Sequence, residues 1–418
     1  MNDDNFMILA AGLLGVLQMC GFFGYDMMSF LVEPACHSVR ERCPECIIQY
    51  AGYYGTAFTN LSYTFGNLLA PCFLPILETK GSLILASFFF IFFSANFFYL
   101  RTWLFFPACM FCGFGFALFF SGGGSYALRH STDRTISRNQ SIQCMISSIT
   151  TVMSGVFLIF SSKFLDGEKG RNMTEISLAQ TNSNYRYYSD TEIKILSTGM
   201  TIFAIVSLIL AVLMPKRNLS NSLLKKTKNI SLKQQIGKVF SAIVQKNLLK
   251  LSPLFACTGA ILALLFTIYP TTFAFTDSLV EDKNMVAYYC IATCVGEFIA
   301  GLIFTSIGKN KSIGILMGVL YGFLDGSATN ARMVAAAKAL PEEPAIAFSV
   351  AKFYQAASAM IFLFLSSKLN IHQLHYLSTI LVLISIICYI SYLRDLRSSK
   401  VFTRELPKEN IEKKDFEQ

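Results

Sequence analysis

Charged residues are scarce in this chain of 418 residues, and few side chains suited to acid–base chemistry are present. Charged residues make up 15% of the sequence, against about 25% in ordinary soluble domains. Only four histidines and one tryptophan occur. The sequence contains no His-Glu-x-x-His, no Gly-x-Ser-x-Gly and no dinucleotide-binding glycine pattern. We therefore expect a protein that is not an enzyme and that uses no cofactor.

Apolar residues dominate instead. They make up 53% of the chain, and the mean hydropathy is +0.49. A hydrocarbon core about 30 Å thick requires about 20 helical residues, whereas a membrane strand needs only about 10 alternating ones. Eleven apolar runs meet or approach the helical length, which predicts an all-α, multi-pass membrane protein in the lipid bilayer. The runs cover residues 6–32, 50–77, 82–99, 104–128, 139–162, 195–214, 251–275, 286–307, 312–330, 345–367 and 374–393.

Lysine and arginine are distributed unevenly among the connections. The segment 216–250 contains nine basic residues and no acidic one, a charge of +9 that equals the net charge of the whole chain. Because cytoplasmic loops carry an excess of Lys and Arg, we expect this segment, the N-terminus and the basic tail to be cytoplasmic. The chain then divides into an N-terminal six-helix half, a basic linker, a C-terminal half of about five helices and a tail. These parts span residues 1–214, 215–250, 251–393 and 394–418.

The basic linker contains one amphipathic stretch. Leu232, Ile236, Val239 and Ile243 recur at helical spacing, with lysines and glutamines mostly on the other face. This pattern predicts a helix on the inner leaflet, attracted by anionic lipid. Nucleic-acid binding is the other use of a basic patch, but no aromatic or motif context favours it.

Several short motifs in a fixed order support a family resemblance. The first half contains Tyr-Thr-Phe-Gly-Asn-Leu-Leu-Ala-Pro at residues 63–71, and the second contains Gly296-Glu297, then Asp325 with Asn330, then Lys352 with Gln355. In this order they resemble the uncoordinated-93-like family of the major facilitator superfamily. That resemblance implies two six-helix halves around a midplane cavity. Characterised members behave as accessory proteins that regulate potassium channels or escort other membrane proteins.

One helix of that plan is not found in the sequence. The interval from Gly296 to Asp325 is shorter than its counterpart, from Gly66 to Ser121, by about one membrane helix and its turn. Eleven crossings would also place the termini on opposite sides, which conflicts with the basic tail. A genuine eleven-helix protein, an uncounted short or re-entrant segment, and a segment missing from the sequence all remain open.

Two functions are consistent with these features. The resemblance favours an accessory or regulatory subunit of a potassium channel or another membrane protein. The fold alone favours an orphan solute transporter that works by alternating access, but rocking two matched halves requires both to be intact. We therefore expect the accessory role and retain the transporter as the alternative. The substrate and the particular membrane, plasma membrane or endomembrane, are not specified by the sequence.

Polar groups inside the apolar runs are the candidate functional site, because a charge at the bilayer centre costs at least about 2.5–3.5 kcal/mol. Asp325 and Lys352 lie on successive predicted helices, where they can pair. Interhelical structural contacts and a substrate or proton-relay site are both consistent with this pattern. The candidate residues are Asp26, Asn67, Glu297, Asp325, Asn330, Lys352 and Gln355.

Most of the twelve cysteines lie in apolar runs as small fillers. Cys36, Cys43 and Cys46 share the first non-cytoplasmic loop, where oxidising conditions favour one disulfide, between Cys36 and either Cys43 or Cys46, with one thiol left over. We expect no metal site there. Asn172 in the longest outside loop is the expected glycosylation site. The many phenylalanines of residues 88–120 are expected to face lipid.

Overall fold

The structure is a computed structural model, and every regular element among its described residues is a helix. This confirms the all-α class expected from the apolar runs. The structure describes residues 2–132, 134–169, 185–217, 232–268, 270–271, 286–293, 335–336, 339–340 and 344–405, and single residues at 219, 222, 275 and 284.

The described part of the first half contains six helices, of which the third is kinked and spans the bundle twice. Inside α3, Glu78 has a φ of 53°, which breaks the helix at the turn between the two crossings. A 3₁₀ turn, Asn96–Tyr99, follows α3. The helices are α1 Asp3–Ser29, α2 Val32–Arg42, α3 Ala51–Ala95, α4 Thr102–Arg129, α5 Ile136–Lys169 and α6 Asp190–Leu213.

The basic linker contains α7 Leu232–Ile243, and the second half includes α8 Lys246–Ala263, α9 Pro344–Ser366 and α10 Ile371–Glu405. A π-helical turn, Leu264–Ile268, continues α8, and residues 286–293 are also helical. In this half, α9 packs against α8, and it also packs against α3 of the first half. The two halves therefore meet along α3 and α9.

Eight helical stretches among the described residues are long and apolar enough to cross a membrane. They correspond to eight of the eleven apolar runs. The run 50–77 is also helical, but its many polar side chains keep it out of that set. The runs 286–307 and 312–330 lie largely or wholly outside the described residues.

Ion pairs join several helix ends at one face of the bundle, here called the basic face. Arg217 lies 2.8 Å from Asp3, which joins the residues after α6 to the start of α1. Lys216 lies 2.7 Å from Glu78 at the kink of α3. These pairs are exposed, so they contribute little to stability, but they show that the basic residues after α6 lie beside the N-terminus, as charge placement predicts.

The last helix returns to the same face. Lys250 near the start of α8 donates a hydrogen bond of 2.6 Å to Asp395 of α10. In the same region Val239 of α7 and Leu248 of α8 pack in one cluster with Leu68 of α3. An odd number of crossings would separate the N-terminus from this end of α10. The arrangement therefore favours the even count within the expected eleven to twelve helices.

The core of the first half is rich in phenylalanine, which contradicts the expectation that the phenylalanines of residues 88–120 face lipid. Phe22 of α1 makes edge-to-face contacts with Phe90, Phe116 and Phe119, all of them buried. Only some members of the series, such as Phe88, are exposed. Aromatic rings in this geometry attract one another beyond the effect of burial alone, so they fill the centre of the helical bundle.

The helix expected in the basic linker is present as α7. Its side chains do not all point away from the protein, because Val239 and Ala242 are buried against the bundle. Phe240 and Val244 are exposed, as a lipid-facing edge would be. Contact of that edge with anionic lipid stays a prediction.

Candidate functional site

A central cavity of about 340 Å³ lies between the two halves. Helices α1, α3, α4 and α5 line it from one side, and the end of α8, the π-helical turn and α9 line it from the other. Its volume falls within the range of ligand pockets, about 300–1,000 Å³. The polar lining includes Gln18, Asp26, Thr56, Asn60, Tyr63, Asn67, Gln140, Gln143, Thr267, Ser349, Lys352 and Gln355.

Two of the predicted site residues enter the cavity from α9. Lys352 and Gln355 are three residues apart, so both side chains lie on one face of the helix. Both are buried, at 9% and 5% exposure. The ammonium nitrogen of Lys352 lies 4.1 Å from the centre of the Phe120 ring on α4. A cation over an aromatic face is attracted by the ring's quadrupole, most strongly where water is excluded.

The first half contributes a polar stripe along α3. Thr56, Asn60, Tyr63 and Asn67 are spaced by four, three and four residues, which places them on one helical face. The amide nitrogen of Asn67 donates to the carbonyl of Tyr63 at 2.7 Å, and that of Asn60 donates to Thr56 at 2.9 Å. These bonds use one donor of each amide, and Asn60 also shares a side-chain hydrogen bond with Tyr25 of α1.

Asp26 of α1 also lines the cavity and is half-buried. Further along α1, the side-chain oxygen of Gln18 accepts a hydrogen bond of 2.9 Å from the amide nitrogen of Gln143 on α5. This bond joins two helices of the first half at the cavity wall. The second-half wall thus brings a cation, whereas the first-half wall brings a carboxyl group and amides.

The π-helical turn next to α8 is a feature that the sequence analysis missed. In a π-helix, the carbonyl of Leu265 would accept from the backbone N–H of residue 270, but that residue is Pro270 and has no N–H. The hydroxyl of Tyr289 donates to this carbonyl instead, at 3.0 Å. Phe266 and Thr267 of the turn line the cavity. The proline near the end of an apolar run was the available signal.

Aromatic side chains of the two halves meet at the face opposite the basic face. Phe30 at the end of α1 lies 5.3 Å from Phe266, measured between ring centres. Phe364 of α9 lies 6.2 Å from Phe58 of α3. In the other direction the lining continues to Gln140 near the start of α5. The cavity therefore extends toward the basic face, and aromatic contacts between the two halves lie at its opposite end.

The structure brings together four of the seven predicted site residues, namely Asp26, Asn67, Lys352 and Gln355. The other three, Glu297, Asp325 and Asn330, lie outside the described residues, as does Asn172. The predicted pairing of Asp325 with Lys352 stays a prediction.

The expected pairing of Cys36 with Cys43 or Cys46 is wrong, because Cys43 and Cys46 are bonded to each other, with 5.3 Å between their Cα atoms. Cys36 is a buried free thiol within α2. Seven residues of helix separate it from Cys43, a rise of about 10 Å, which is too long for a disulfide. The region therefore contains one disulfide and one free thiol, as expected, but the free thiol is Cys36.

The fold and the two-sided cavity define a membrane bundle of the major facilitator superfamily type. Among solved structures, the chain is similar to the E. coli fucose:proton symporter FucP, with a TM-score of 0.59 and 12% identity over 92% of this chain and 99% of that one. It is also similar to a structure of the nucleoside transporter NupG, with a TM-score of 0.58 and 11% identity over 93% and 99%. Identities this low establish the fold alone.

The family model described as "Ion channel regulatory protein UNC-93" matches residues 43–314 and 309–390. The chain belongs to the UNC-93 family, as its motifs indicated. One relative, "UNC93-like protein MFSD11" of Xenopus laevis, is 22% identical over 341 residues, which cover 78% of this chain and 72% of the relative. The protein of the same name from Xenopus tropicalis is 21% identical over 341 residues, with the same coverage.

Proposed function

We propose that this protein moves a small polar solute across the membrane by alternating access. The observation that carries the proposal is one cavity whose polar wall comes from both halves: Asp26 and Asn67 from the first, Lys352 and Gln355 from the second. A solute that bridges these walls would couple its own binding to the relative position of the halves.

The lining favours a solute that is neutral overall and bears hydroxyl or amide groups. Amide and hydroxyl side chains form most of its polar surface, and Phe22, Tyr25 and Phe116 add aromatic surface. The similar structures include proteins described as a fucose:proton symporter and a nucleoside transporter, solutes that combine hydroxyl groups with apolar faces. The same chemical class is therefore the first to test.

A ligand panel followed by flux tests this proposal. The purified protein is heated with sugars, nucleosides, amino acids and carboxylates, because a ligand that binds only the native state raises the melting temperature. Any stabilising solute is then assayed for saturable uptake into liposomes. We expect at least one neutral solute to stabilise the protein and to be transported. Stabilisation without flux, or no stabilisation by any class, would count against transport.

A second candidate is the accessory role that the family description names, regulation of an ion channel such as a potassium channel. Support comes from the family membership and from α10, which has the smallest share of buried residues, 11%, among the spans that the structure describes. Its exposed face includes Ile380, Leu383 and Ile387. This apolar face would contact either lipid or a helix of a membrane partner.

Co-purification separates the two functions. A tagged protein extracted from native membranes in mild detergent would bring down a channel subunit in stoichiometric amount if the accessory role is correct. Channel currents recorded with and without the protein then show whether the bound subunit is regulated. Saturable flux by the purified protein alone, with no change in channel current, would reject the accessory role.

A further inference from the structure

The disulfide between Cys43 and Cys46 lies in the loop between α2 and α3, at the face opposite the basic face. The two cysteines are separated by Pro44 and Glu45, both exposed. Cys43 is partly exposed, whereas Cys46 is buried. A bond across two intervening residues constrains the unfolded chain less than one that closes a long loop. A structural role therefore accounts poorly for its position.

The guanidinium of Arg101 faces both sulfur atoms. Arg101 lies in the short connection between the 3₁₀ turn and α4. Its Nη1 atom is 2.7 Å from Sγ of Cys46 and 3.8 Å from Sγ of Cys43. The guanidinium also lies 5.1 Å from the centre of the Tyr99 ring, which helps to hold it in place. A positive charge next to a cysteine favours its thiolate. The closer contact is with the buried sulfur.

The loop is fixed independently of the disulfide. The backbone N–H of Thr102 donates to the carbonyl of Cys46 at 2.9 Å, and the N–H of Ile48 donates to the hydroxyl of Thr102 at 3.2 Å. Both bonds would persist after the S–S bond is broken. The two sulfurs would then stay close to each other and to Arg101, which is the arrangement that reversible thiol exchange requires.

We propose that Cys43 and Cys46 form an exchangeable dithiol–disulfide site, in which Arg101 stabilises the thiolate of Cys46. The thiolate of a dithiol reductant attacks Sγ of Cys43, the S–S bond breaks, and its electron pair passes to Sγ of Cys46. The reductant's second thiolate then attacks the mixed disulfide and releases Cys43, whose thiolate takes a proton. The protein disulfide is thereby reduced to two thiols, and the dithiol is oxidised to its own disulfide.

Cys36, the third cysteine of this region, does not compete in the exchange. Burial raises the pKa of the Cys36 thiol well above its ordinary value, and Glu33 and Cys109 raise it further. A thiol that stays protonated is a poor nucleophile. The exchange is therefore confined to the pair beside Arg101.

The test uses the full-length protein in detergent, with dithiothreitol as the reductant and mass spectrometry of alkylated peptides as the readout. We expect reduction of the pair without denaturant. We also expect the Cys46 thiol in the reduced protein to alkylate with an apparent pKa below about 8.5, the ordinary value for cysteine. A disulfide that is reduced only in denaturant, or an apparent pKa at or above that value, would overturn the proposal.

Three variants isolate the role of the guanidinium. Arg101→Met should slow reduction by roughly three- to tenfold and raise the apparent pKa of Cys46, because a leaving thiolate of higher pKa departs more slowly. Arg101→Lys should restore most of the rate. Arg40→Met removes an equal charge from neighbouring α2 and should leave the rate unchanged. Equal rates for Arg101→Met and Arg40→Met would reject the assignment of Arg101. If Arg101→Met fails to fold, the apparent pKa of the Cys46 thiol in the wild-type protein tests the proposal instead.

Discussion

The ammonium group of Lys352 rests on the ring of Phe120, with 4.1 Å between the nitrogen and the ring centre. Lys352 belongs to α9 of the second half, whereas Phe120 belongs to α4 of the first. The contact therefore joins the two halves at the wall of the cavity. A buried charge inside the membrane is costly, and such charges commonly mark functional sites. Lys352 is therefore the first residue to substitute.

Lys352→Met should abolish most solute flux. The substitution keeps an unbranched apolar chain that can pack on Phe120, but it removes the ammonium group. Each hydrogen bond between a charged group and a solute contributes about 1.5–3 kcal/mol to binding. We expect at least a roughly tenfold loss of flux, with surface expression preserved. Lys368→Met, at an exposed position after α9, is the matched control. Unchanged flux in Lys352→Met at normal expression would reduce Lys352 to a packing residue.

Thermal stability should depend on pH through Glu33. Its side chain is 3% exposed and accepts a hydrogen bond of 3.2 Å from the backbone N–H of Tyr53 in the first turn of α3. Burial raises the pKa of Glu33 to about 7 from an ordinary value of 4.5, and the backbone hydrogen bonds of Tyr53 and Gly52 oppose the shift. The folded protein therefore holds this proton more tightly than the unfolded chain does.

The direction of the pH dependence follows from that difference. The stabilising contribution of Glu33 to the folded state is fully present below about pH 4.5, where the carboxyl group is protonated. It is lost as the pH rises through the folded-state pKa of about 7. Glu33→Gln should remove this slope and stabilise the protein at pH 8 by about 3 kcal/mol. Melting temperatures measured from pH 5 to 8 check this, with Glu45→Gln at an exposed position as the control. If the melting temperatures of wild type and Glu33→Gln fall in parallel as the pH rises, the pKa of Glu33 is not raised and the prediction is wrong.

A buried ion pair joins Arg186, just before α6, to Glu192 in the first turn of that helix, and it should contribute strongly to stability. Arg186 lies 2.7 Å from Glu192, and the two side chains are 10% and 8% exposed. Arg186→Met leaves the carboxylate buried without its cation, a change that costs about 3–5 kcal/mol in comparable sites. Arg42→Met should cost less, because its partner Asp190 is 68% exposed.

The double variant Arg186→Met/Glu192→Gln distinguishes charge imbalance from lost packing. Removing both charges should recover part of the stability that Arg186→Met loses. Melting temperatures of the three variants against wild type give the answer. Equal effects of Arg186→Met and Arg42→Met would mean that burial does not strengthen this pair.

The close crossing of α8 and α9 depends on Gly259. A Cβ atom at that position would overlap the carbonyl oxygen of Gln355, so Gly259→Ala must push the helices apart. Overpacking of this kind costs about 1–3 kcal/mol. At Gly124, a Cβ atom meets nothing within 4 Å, which makes Gly124→Ala the control. A melting temperature for Gly259→Ala equal to that of the control would contradict the crossing.

The sequence was sufficient to predict most of the architecture and part of the site. Apolar runs predicted the spans because a bilayer imposes a minimum length on them. Lys352 and Gln355 were found because polar groups stand out in apolar surroundings. Gln18 and Gln143 were missed, because what marks them is a hydrogen bond between two helices, which the sequence does not show.

Other errors have equally physical causes. Lipid and protein core are both apolar, so composition did not reveal that Phe90 and Phe116 are buried. The disulfide was assigned from shared location alone, and the helical rise between Cys36 and Cys43 was not considered. The turn at Leu264–Ile268 was missed because the hydrogen bond from Tyr289 to the carbonyl of Leu265 is a tertiary contact that the sequence does not show.

Native Cys144 gives the most direct test of alternating access, because it lines the cavity and is partly exposed. Membrane-impermeant thiol reagents are applied to sealed vesicles of each orientation, and the modified peptide is identified by mass spectrometry. We predict that wild type reacts from the basic face, and that Phe364→Ala, which removes the contacts with Tyr54 and Phe58 at the opposite face, adds labelling from that side. Labelling of Cys144 from neither face, or from the basic face alone in both proteins, would contradict the account.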